Sequence, residues 1–250
     1  MGLPRSYLEE LFSVEDRIVL VTGASRGIGL ALACAFSKAG AKVFGLGRTR
    51  QISKSNNFLY KSLDITDQVC FKDYCIEITE KWNRINVLIN AAGISVAANE
   101  QVGTGLFEKM VDTNLTATFR CCEIASEFMD QGGAIINITS IASKLGFPGN
   151  PGYQASKAGL AAVSRALACD LAERSIRVNS ITPGYIRTSM TRASYKNETL
   201  RKQRSNRMII QRWGEVDDLT GAAIYLASDA SAYVTGSEII VDGGWSIKGL

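Results

Sequence analysis

The chain has 250 residues, of which 46% are hydrophobic and 21% are charged, and its formal net charge is +4. These values fit a soluble globular protein that is large enough to bury a core without disulfide bonds, and so small a net charge does not indicate a nucleic-acid partner. The chain contains no histidine, which excludes Ser-His-Asp and Cys-His nucleophile systems, histidine general bases and histidine-ligated zinc. We expect no metal site, and acid–base chemistry must use Tyr, Lys, Asp, Glu or Cys.

The cysteines and the N-terminus point to one cellular setting. Six cysteines, at positions 34, 70, 75, 121, 122 and 169, form no Cys-x-x-Cys pair, which favours free thiols in a reducing compartment. The N-terminal residues lack the charged start and the apolar run of a signal peptide, and no apolar run reaches about 18 residues. We therefore expect a cytoplasmic protein with no membrane span.

Short apolar runs alternate with helical patterns along the whole chain. The predicted strands are residues 17–22, 42–46, 58–63, 86–90, 134–138, 177–181 and 238–241, and a helix of small residues is predicted at 28–39. Continuous apolar strands between helices predict a parallel sheet that helices cover on both faces, and right-handed crossovers make it doubly wound. We expect a single-domain α/β Rossmann fold of about seven strands over residues 1–250, with ligands bound beyond the carboxyl ends of the strands. The connection at 49–57 is short for a crossover, so its helix should be stunted or absent.

A glycine cluster lies where the first strand turns into the first helix, in the run Thr22-Gly23-Ala24-Ser25-Arg26-Gly27-Ile28-Gly29. Glycine permits a tight turn and lets backbone N–H groups approach a pyrophosphate, to which the helix N-terminus adds its positive end. Glycine also marks plain turns, but the strand before and the helix after favour a dinucleotide site. The predicted contacts are Gly23, Ser25, Arg26, Gly27, Ile28 and Gly29.

The second strand leads to Arg48, and no acidic residue occurs between positions 16 and 64. An acid there would bind the ribose hydroxyls of NAD, whereas Arg26, Arg48 and Arg50 suit the 2′-phosphate of NADP(H). A solvated loop arginine is the other interpretation of Arg48. Asp64 follows the third strand, where it could meet the adenine edge or cap the next helix, and we place Asp64 and Ile65 in the predicted cofactor site.

The run Tyr153-Gln154-Ala155-Ser156-Lys157 opens a predicted helix, so Tyr153 and Lys157 share one face. Tyrosine has a pKa near ~10, which a neighbouring ammonium lowers. Tyr153 could then give a proton to a carbonyl oxygen, or take one from an alcohol, while hydride moves to or from a nicotinamide. Ser140 ends the fifth strand and could orient the same oxygen. A Tyr-x-x-x-Lys pair alone is common on helix surfaces, but Ser140 and the glycine turn favour the catalytic interpretation.

Together these motifs resemble those of the short-chain dehydrogenase/reductase family over essentially the whole chain. The resemblance rests on the glycine turn, Asn90-Ala91-Ala92-Gly93, the Ser140/Tyr153/Lys157 set, Pro183-Gly184, Val234-Thr235-Gly236 and Asp242-Gly243-Gly244. It implies that Asn114 is a fourth catalytic residue that holds a water linking Lys157 to a proton relay, and that the segment from Asn90 to Gly93 lines the adenosine side. Ile186 and Thr188, after Pro183-Gly184, would contact the nicotinamide carboxamide, and Lys157 would also hold the ribose hydroxyls.

The resemblance also implies a homotetramer, because family members commonly associate through the helices that correspond to residues 105–130 and 153–174. The run Ala158-Gly159-Leu160-Ala161-Ala162 offers small residues for the close approach of helices. Packing on the sheet alone is the alternative.

Residues 185–213 are the predicted substrate lid. The lid has one acidic residue, Glu198, and eight basic residues, which are Arg187, Arg192, Lys196, Arg201, Lys202, Arg204, Arg207 and Arg212. This charge suggests an anionic small-molecule substrate, such as a sugar acid, an activated sugar or an acyl group on an acidic carrier protein. A solvated amphipathic helix is the alternative. Because the basic residues lack interleaved aromatic residues, we expect no nucleic-acid partner.

Within the family, the chain is similar to sugar-acid and polyol dehydrogenases of the gluconate 5-dehydrogenase type, through Phe12-Ser13 and Arg212-Trp213-Gly214. It is also similar to 3-oxoacyl-carrier-protein reductases, and these motifs do not separate the two. A non-catalytic NADP-sensing protein on the same fold is a rival of another class, against which the intact set of Tyr153, Lys157 and Ser140 argues.

Overall fold

The computed structural model describes residues 6–49, 58–95, 104–129 and 132–248. The strands in these ranges are β1 (Ile18–Thr22), β2 (Lys42–Gly47), β3 (Leu59–Ser62), β4 (Val87–Asn90), β5 (Ala134–Ile138), β6 (Arg177–Pro183) and β7 (Glu238–Val241). All seven lie parallel in one sheet, in the order β3-β2-β1-β4-β5-β6-β7.

The α-helices in the same ranges are α1 (Tyr7–Leu11), α2 (Gly27–Lys38), α3 (Gln68–Trp82), α4 (Thr104–Val111), α5 (Ala117–Glu127), α6 (Pro151–Asp170), α7 (Arg192–Lys196), α8 (Glu198–Arg207) and α9 (Thr220–Ala227). A π-helical turn, Asp112–Thr116, joins α4 to α5, and a 3₁₀ turn, Ile141–Ser143, follows β5. None of the described helices combines the length and the apolar character that crossing a bilayer requires.

The two faces of the sheet bury separate apolar clusters. On one face, Phe71 of α3 packs in a cluster with Leu20 of β1. On the opposite face, Phe36 of α2 and Leu226 of α9 pack in a second cluster with Val21 of β1. Neighbouring residues of one strand thus serve opposite cores, as the two-residue period of a β-strand requires. This arrangement confirms the predicted doubly wound α/β sheet.

The predicted element boundaries differ from the observed ones by one or two residues. The third strand omits Phe58 and Leu63, and the sixth extends to Pro183. Most of the short connection after β2 lies outside the described residues, as does Arg50. All six cysteines are free, as predicted.

The order of the strands places the ligand cleft. From β1 the chain winds outward through β2 to β3, and then returns to the other side of β1 to form β4. The crossovers on the two sides of β1 therefore diverge and leave a crevice above the carboxyl ends of β1 and β4. The motifs predicted to carry function all follow the carboxyl ends of strands next to this crevice.

Candidate active site

The turn between β1 and α2 can be formed only by glycine at its critical positions. Gly23 and Gly27 have φ angles of +69° and +57°, which L side chains rarely adopt. A Cβ atom on Gly23 would lie 2.7 Å from the Cα of Ala92, and one on Gly29 would overlap the carbonyl oxygen of Gly23. The turn therefore presents bare backbone at the N-terminus of α2, which is the arrangement that cradles a phosphate group.

A cleft extends from this turn across the carboxyl ends of β1, β2 and β4. It is lined by Gly23, Ser25, Arg26, Gly27, Ile28, Gly29, Gly47, Arg48, Thr49, Leu63, Asp64, Ile65, Ala91, Ala92, Gly93, Ile94, Thr113, Thr188, Ser189 and Met190. The predicted residues of the glycine turn, Arg48, Asp64, Ile65, the segment after Asn90 and Thr188 all belong to this set. Sequence reasoning missed Met190, for which the sequence holds no signal, and six residues that adjoin predicted positions, which are Gly47, Thr49, Leu63, Ile94, Thr113 and Ser189.

Arg48 and Asp64 lie at the outer end of the cleft, beyond β2 and β3. The Nε of Arg48 is 3.9 Å from Oδ2 of Asp64, and both side chains are about half exposed. The helix-capping alternative for Asp64 is wrong, because Asp67 caps α3 by accepting the N–H of Cys70 at 3.0 Å. Oδ1 of Asp64 instead accepts the backbone N–H of Thr66 at 3.1 Å, and the residue lines the cleft beside the guanidinium group.

Asn90 differs from its neighbours, because its side chain lies buried on the face of the sheet that α5 covers. Its Nδ2 donates to Oδ1 of Asn137 at 2.9 Å and to the Sγ of Cys122 at 3.2 Å, and the residue is 2% exposed. Asn90 is absent from the cleft lining, whereas Ala91 and Ala92 belong to it. The asparagine ties β4 to β5 and thereby fixes the backbone that forms the cleft wall.

The predicted catalytic residues meet at the inner end of the same cleft. This inner part is lined by Ile28, Ala91, Gly93, Ile138, Thr139, Ser140, Tyr153, Lys157, Pro183, Gly184, Ile186, Thr188, Met190 and Thr191. Ile28, Ala91, Gly93, Thr188 and Met190 line both parts, so the two parts are continuous. Residues 13 positions apart in the chain, Ser140 and Tyr153, are thereby brought together as predicted.

Ser140 is oriented by the turn that follows it. Its Oγ accepts the backbone N–H of Ala142 at 3.1 Å and caps the 3₁₀ turn. Because that contact uses the oxygen as acceptor, the hydroxyl hydrogen stays available to Tyr153 or to a substrate oxygen. Burial raises the pKa of Tyr153, and its hydrogen bond with Ser140 lowers the pKa by a smaller amount. The phenol therefore keeps its proton at neutral pH.

Lys157 is buried beneath Tyr153. Its Nζ lies 5.9 Å from the centroid of the Tyr153 ring and donates to the carbonyl oxygen of Ile138 at 2.7 Å. Burial lowers the pKa of Lys157 to about 8. The prediction that this ammonium lowers the pKa of Tyr153 below its ordinary value is wrong for this structure, because burial of the phenol outweighs the other contributions.

Asn114 lies in the π-helical turn and is fully buried. Its amide forms two hydrogen bonds with the backbone of Ile94, accepting at 2.8 Å and donating at 2.9 Å, and it donates to Oγ of Ser156 at 3.1 Å. Asn114 thus clamps the loop after β4 to the catalytic helix α6. The water-holding role that the family resemblance implies for Asn114 stays a prediction.

Several basic residues of the predicted lid form ion pairs within the fold, whereas the sequence suggested that their charge is available to a substrate. Arg212 forms a two-point ion pair with Asp218 at 2.7 and 2.9 Å. Arg187 pairs with Glu215, and Lys202 pairs with Glu198. Three of the eight basic residues therefore have carboxylate partners in or just after the lid.

Other lid arginines lie over aromatic rings, of which Tyr185 and Tyr195 belong to the lid itself. The guanidinium of Arg204 lies 4.5 Å from the ring centroid of Tyr185, and that of Arg207 lies 4.9 Å from Trp245. Arg201 lies 5.4 Å from the ring of Tyr195. The statement that aromatic residues are not interleaved with these charges is therefore wrong. The rings satisfy the guanidinium groups within the fold.

The other two of the eight basic residues of the lid, Arg192 and Lys196, lie on α7. Within the part of the chain that the structure describes, neither residue pairs with a carboxylate or stacks on a ring. Thr188 and Thr191, which line the inner cleft, immediately precede α7. The lid charge that stays available to a ligand is thus concentrated at this short helix.

The geometry as a whole fits reversible hydride transfer. A phenol and a serine hydroxyl converge in a cleft whose other end cradles phosphate, so a carbonyl oxygen held between the hydroxyls would lie beside a bound nicotinamide. Across residues 6–49, 58–95, 104–129 and 132–248, no group of three or more Cys, Asp or Glu side chains could hold a metal ion. The titratable side chains that line the inner part of the cleft are Tyr153 and Lys157.

Comparison with known proteins agrees with this assignment. A family model described as enoyl-(acyl carrier protein) reductase matches residues 23–246. The chain is 34% identical to a 2-dehydro-3-deoxy-D-gluconate 5-dehydrogenase of Pseudoalteromonas atlantica, over 94% of this chain and 98% of that protein. It is 33% identical to a 3-oxoacyl-acyl-carrier-protein reductase of Thermotoga maritima, over 92% and 98% of the two chains.

Among solved structures, the chain is similar to a gluconate 5-dehydrogenase of Burkholderia cenocepacia in complex with NADP and tartrate. The TM-score is 0.91 at 29% identity, and the match covers 97% of this chain and 100% of that one. The fold and the site define an oxidoreductase that acts on CH–OH groups. The chain belongs to the short-chain dehydrogenase/reductase family.

We expect Gly29→Ala to weaken dinucleotide binding at least about tenfold, equivalent to about 1.4 kcal/mol, because the added methyl group overlaps the Gly23 carbonyl oxygen. Gly221→Ala is the matched control, since a Cβ there meets nothing within 4 Å in helix α9. The control should keep its affinity and gain up to about 1 kcal/mol of stability. Titration calorimetry with the dinucleotide measures the affinity of each variant. Equal affinities in the two variants would refute the assignment of this turn as the phosphate-binding site.

We expect the buried Lys157 to make stability depend on alkaline pH. Its pKa is about 8 in the folded chain, against an ordinary value of 10.5 in the unfolded chain. Between these values the unfolded chain holds the extra proton, so the free energy of unfolding rises with pH. Relative to Lys157→Met, the gain from pH 8 to 10.5 should be about 3 kcal/mol. Denaturant titrations of both proteins across this window check it, and parallel curves would contradict it.

Proposed function

We propose that the chain is an NADP(H)-dependent dehydrogenase/reductase that interconverts a carbonyl and a secondary alcohol on a sugar acid or a related anionic substrate. The observation that carries the proposal is the meeting of Ser140, Tyr153 and Lys157 at the inner end of a cleft whose outer end cradles phosphate. A 3-oxoacyl-carrier-protein reductase is the second candidate, which the relatives of that name support.

Tyr153 is the general acid in reduction. The raised pKa keeps the phenol protonated at neutral pH, so it can give its proton to the carbonyl oxygen as charge develops there. Ser140 donates a second hydrogen bond to the same oxygen. When bound, the nicotinamide supplies or accepts the hydride. Lys157 places its ammonium beneath the phenol, where positive charge stabilises the phenolate that remains after the transfer.

The position of Arg48 favours NADP(H) over NAD(H) as the cofactor. Its guanidinium stands at the outer end of the cleft and is about half exposed, so it can reach a ligand. A planar, permanently charged fork suits a dianionic phosphate. Asp64 lies beside it at 3.9 Å and limits the orientations that the arginine can adopt.

For Arg48→Ala, loss of a charge-assisted contact to the 2′-phosphate should cost about 1.5–3 kcal/mol, or about ten- to over a hundredfold in NADPH affinity. NADH has no phosphate at this position, so its dissociation constant should change little. Fluorescence titration with both cofactors makes the comparison within one variant. Equal losses for NADPH and NADH would show that Arg48 serves only the structure of the loop.

A sugar acid is the preferred substrate class for two reasons. Several relatives act on gluconate-type substrates according to their names, and the similar structure from Burkholderia cenocepacia contains tartrate. Arg192 and Lys196, which have no carboxylate partner among the described residues, adjoin the inner cleft through Thr188 and Thr191. An anion at the cleft mouth would complement them.

The test is NADPH oxidation with a panel of keto-sugar acids, 3-oxoacyl thioesters and neutral ketones. We expect turnover of a keto-sugar acid, and we expect Tyr153→Phe to lower kcat by about 10²–10⁴-fold while NADPH binding persists. Turnover of thioesters alone would favour the second candidate. A Tyr153→Phe protein that keeps more than about half of the activity would end the catalytic assignment.

The charge on α7 is tested with the same assay. The double variant Arg192→Gln, Lys196→Gln should raise KM for the anionic substrate and remove its dependence on ionic strength, since salt screens such attraction. Lys202→Gln is the matched control, because that side chain is 72% exposed and already paired with Glu198. A KM that responds equally to both changes would show that general surface charge, and not α7, attracts the substrate.

We propose further that the protein acts in the cytoplasm as a homotetramer. Six free cysteines suit a reducing compartment. Within the chain, Gly152 and Gly159 of α6 let Phe107 and Leu115 approach closely, so these glycines already serve packing inside one subunit. Ala155, Ala158 and Ala162 of the same helix are exposed and are available for a helix of a second subunit. Analytical ultracentrifugation tests the assembly.

A further inference from the structure

Glu238 carries a nearly buried carboxylate that the reaction outlined above does not use. It begins β7, and its side chain is 15% exposed. Oε2 lies 2.7 Å from Nζ of Lys144. Oε1 accepts the hydroxyl of Thr182 at 2.5 Å and that of Ser143 at 3.4 Å. An isolated buried charge would be costly, and here three donors from two other segments surround it.

Two of these donors belong to the turn that starts at Ser140. Ser143 and Lys144 end the 3₁₀ turn that Ser140 caps. The Ser143 hydroxyl gives its single hydrogen mainly to the carbonyl oxygen of Ser140 at 2.7 Å, and its 3.4 Å approach to Glu238 is the weaker contact. The carboxylate of Glu238 therefore holds the far end of the turn whose near end carries the Ser140 hydroxyl.

The third donor, Thr182, connects Glu238 to Thr139, the residue just before Ser140. An ionised carboxylate only accepts hydrogen bonds, so Thr182 spends its single hydroxyl hydrogen on Glu238. The hydroxyl of Thr139 lies 2.7 Å from that of Thr182 and 3.1 Å from the carbonyl oxygen of Ile181, so Thr139 can give its hydrogen to either oxygen while it stays in contact with Thr182. Thr139 immediately precedes Ser140 in the chain. Both flanks of Ser140 are thus tied to one carboxylate on a strand that lies beyond β6.

The chemistry of the carboxylate suits a fixed anchor. Burial raises the pKa of Glu238, but the hydrogen bonds from Lys144 and Thr182 outweigh it, so the pKa lies below its ordinary value. The group is therefore ionised at neutral pH. Hydrogen bonds to an ionised acceptor are shorter and stronger than neutral ones, which restricts the turn to one arrangement.

We propose that Glu238 is a positioning residue, whose carboxylate fixes the Ser140 turn against β6 and β7 and so sets where the Ser140 hydroxyl points. The inference rests on the proposed role of Ser140 in orienting the substrate oxygen. It assigns a function in the reaction to a residue about 100 positions away from Ser140 in the sequence, on an element that does not line the inner cleft near Tyr153.

The primary test compares Glu238→Gln with Glu127→Gln. Each change removes a Lys–Glu ion pair with an N–O distance of 2.7 Å, but Glu127 is 53% exposed on α5, far from the turn. With the best ketone of the panel, Glu238→Gln should lower kcat about tenfold or more, because small misplacements of reacting groups slow catalysis strongly. NADPH affinity should change less than about twofold, and the control should keep its kcat.

A Ser140→Ala background separates positioning from general damage. If Glu238 acts through Ser140, Glu238→Gln should lower kcat by less than about twofold once the hydroxyl is gone, because the two effects share one cause. The same fold loss in both backgrounds would overturn the proposal, and so would an unchanged kcat in the native background. Thr182→Val, nearly isosteric, provides a second route should Glu238→Gln fail to fold, with the same expectations.

Hydrogen exchange gives a readout that needs no substrate. The N–H of Ala142 donates to Oγ of Ser140, so loosening of the turn should speed exchange in residues 140–145 of Glu238→Gln but not of Glu127→Gln. Unchanged exchange would overturn the proposal. Native kcat in Ser140→Ala alone would instead refute the proposed role of Ser140, so the two failures are distinguishable.

Discussion

The hydrogen bond from Nζ of Lys157 to the carbonyl oxygen of Ile138, 2.7 Å long, is the contact on which the geometry of the site depends. It joins the catalytic helix α6 to the last residue of β5 and fixes both the depth and the rotation of the helix. Two positions further along the chain from Ile138, Ser140 leaves the strand, while Tyr153 stands one turn before Lys157 on the helix. A single buried contact thus sets the distance between the two hydroxyls. Burying the ammonium disfavours its charged form, so the pKa of Lys157 falls to about 8.

The rest of the buried face of α6 follows the same logic. Helices that cover a sheet normally bury apolar residues, but this face presents Ser156 and Ser164 as well. Each serine has a partner: Ser156 accepts from Asn114 at 3.1 Å, and Ser164 accepts from Asn137 at 2.8 Å. Asn137 in turn accepts from Asn90 at 2.9 Å. Because every buried polar group in this chain of contacts is paired, the network adds orientation without the penalty of an unsatisfied group.

Sequence reasoning predicted those features that depend on local pattern. Continuous apolar runs gave the strands, since strands covered on both faces need no alternation, and the i, i+4 spacing placed Tyr153 and Lys157 together. It could not decide whether Asp64 meets the adenine edge or caps the next helix, because the cap depends on the exact first turn, where Asp67 takes that position. It also expected Asn90 to line the cleft. Because side chains alternate between the two faces of a strand, that of Asn90 lies under α5 instead.

The remaining differences come from contacts between distant segments. Nothing in the sequence near Ser143 indicates that Glu238, 95 positions later, will accept its hydroxyl, because such a pairing exists only once β6 and β7 lie side by side. The pKa of Tyr153 is a similar case. Spacing shows that an ammonium is near, but the balance between burial and charge depends on how deeply the phenol lies in the cleft. Sequence therefore predicts which groups meet more reliably than it predicts their ionisation.

The lid shows how the same charges can serve two purposes. The number of basic residues suggests that the lid repels itself strongly. Arg204 and Arg207, however, lie over the rings of Tyr185 and Trp245. Such ring faces stabilise a cation by about 0.5–2 kcal/mol. These contacts hold α8 over the aromatic cluster even though α8 itself buries no residue. Met208 and Trp213 of the lid are nearly fully buried in the same cluster, whereas α7 buries no residue. Because few buried contacts hold α7, it is the part of this segment most able to open locally. An anion that bound at α7 would add attraction at the edge of this segment nearest the cleft, where the helix buries no side chain of its own.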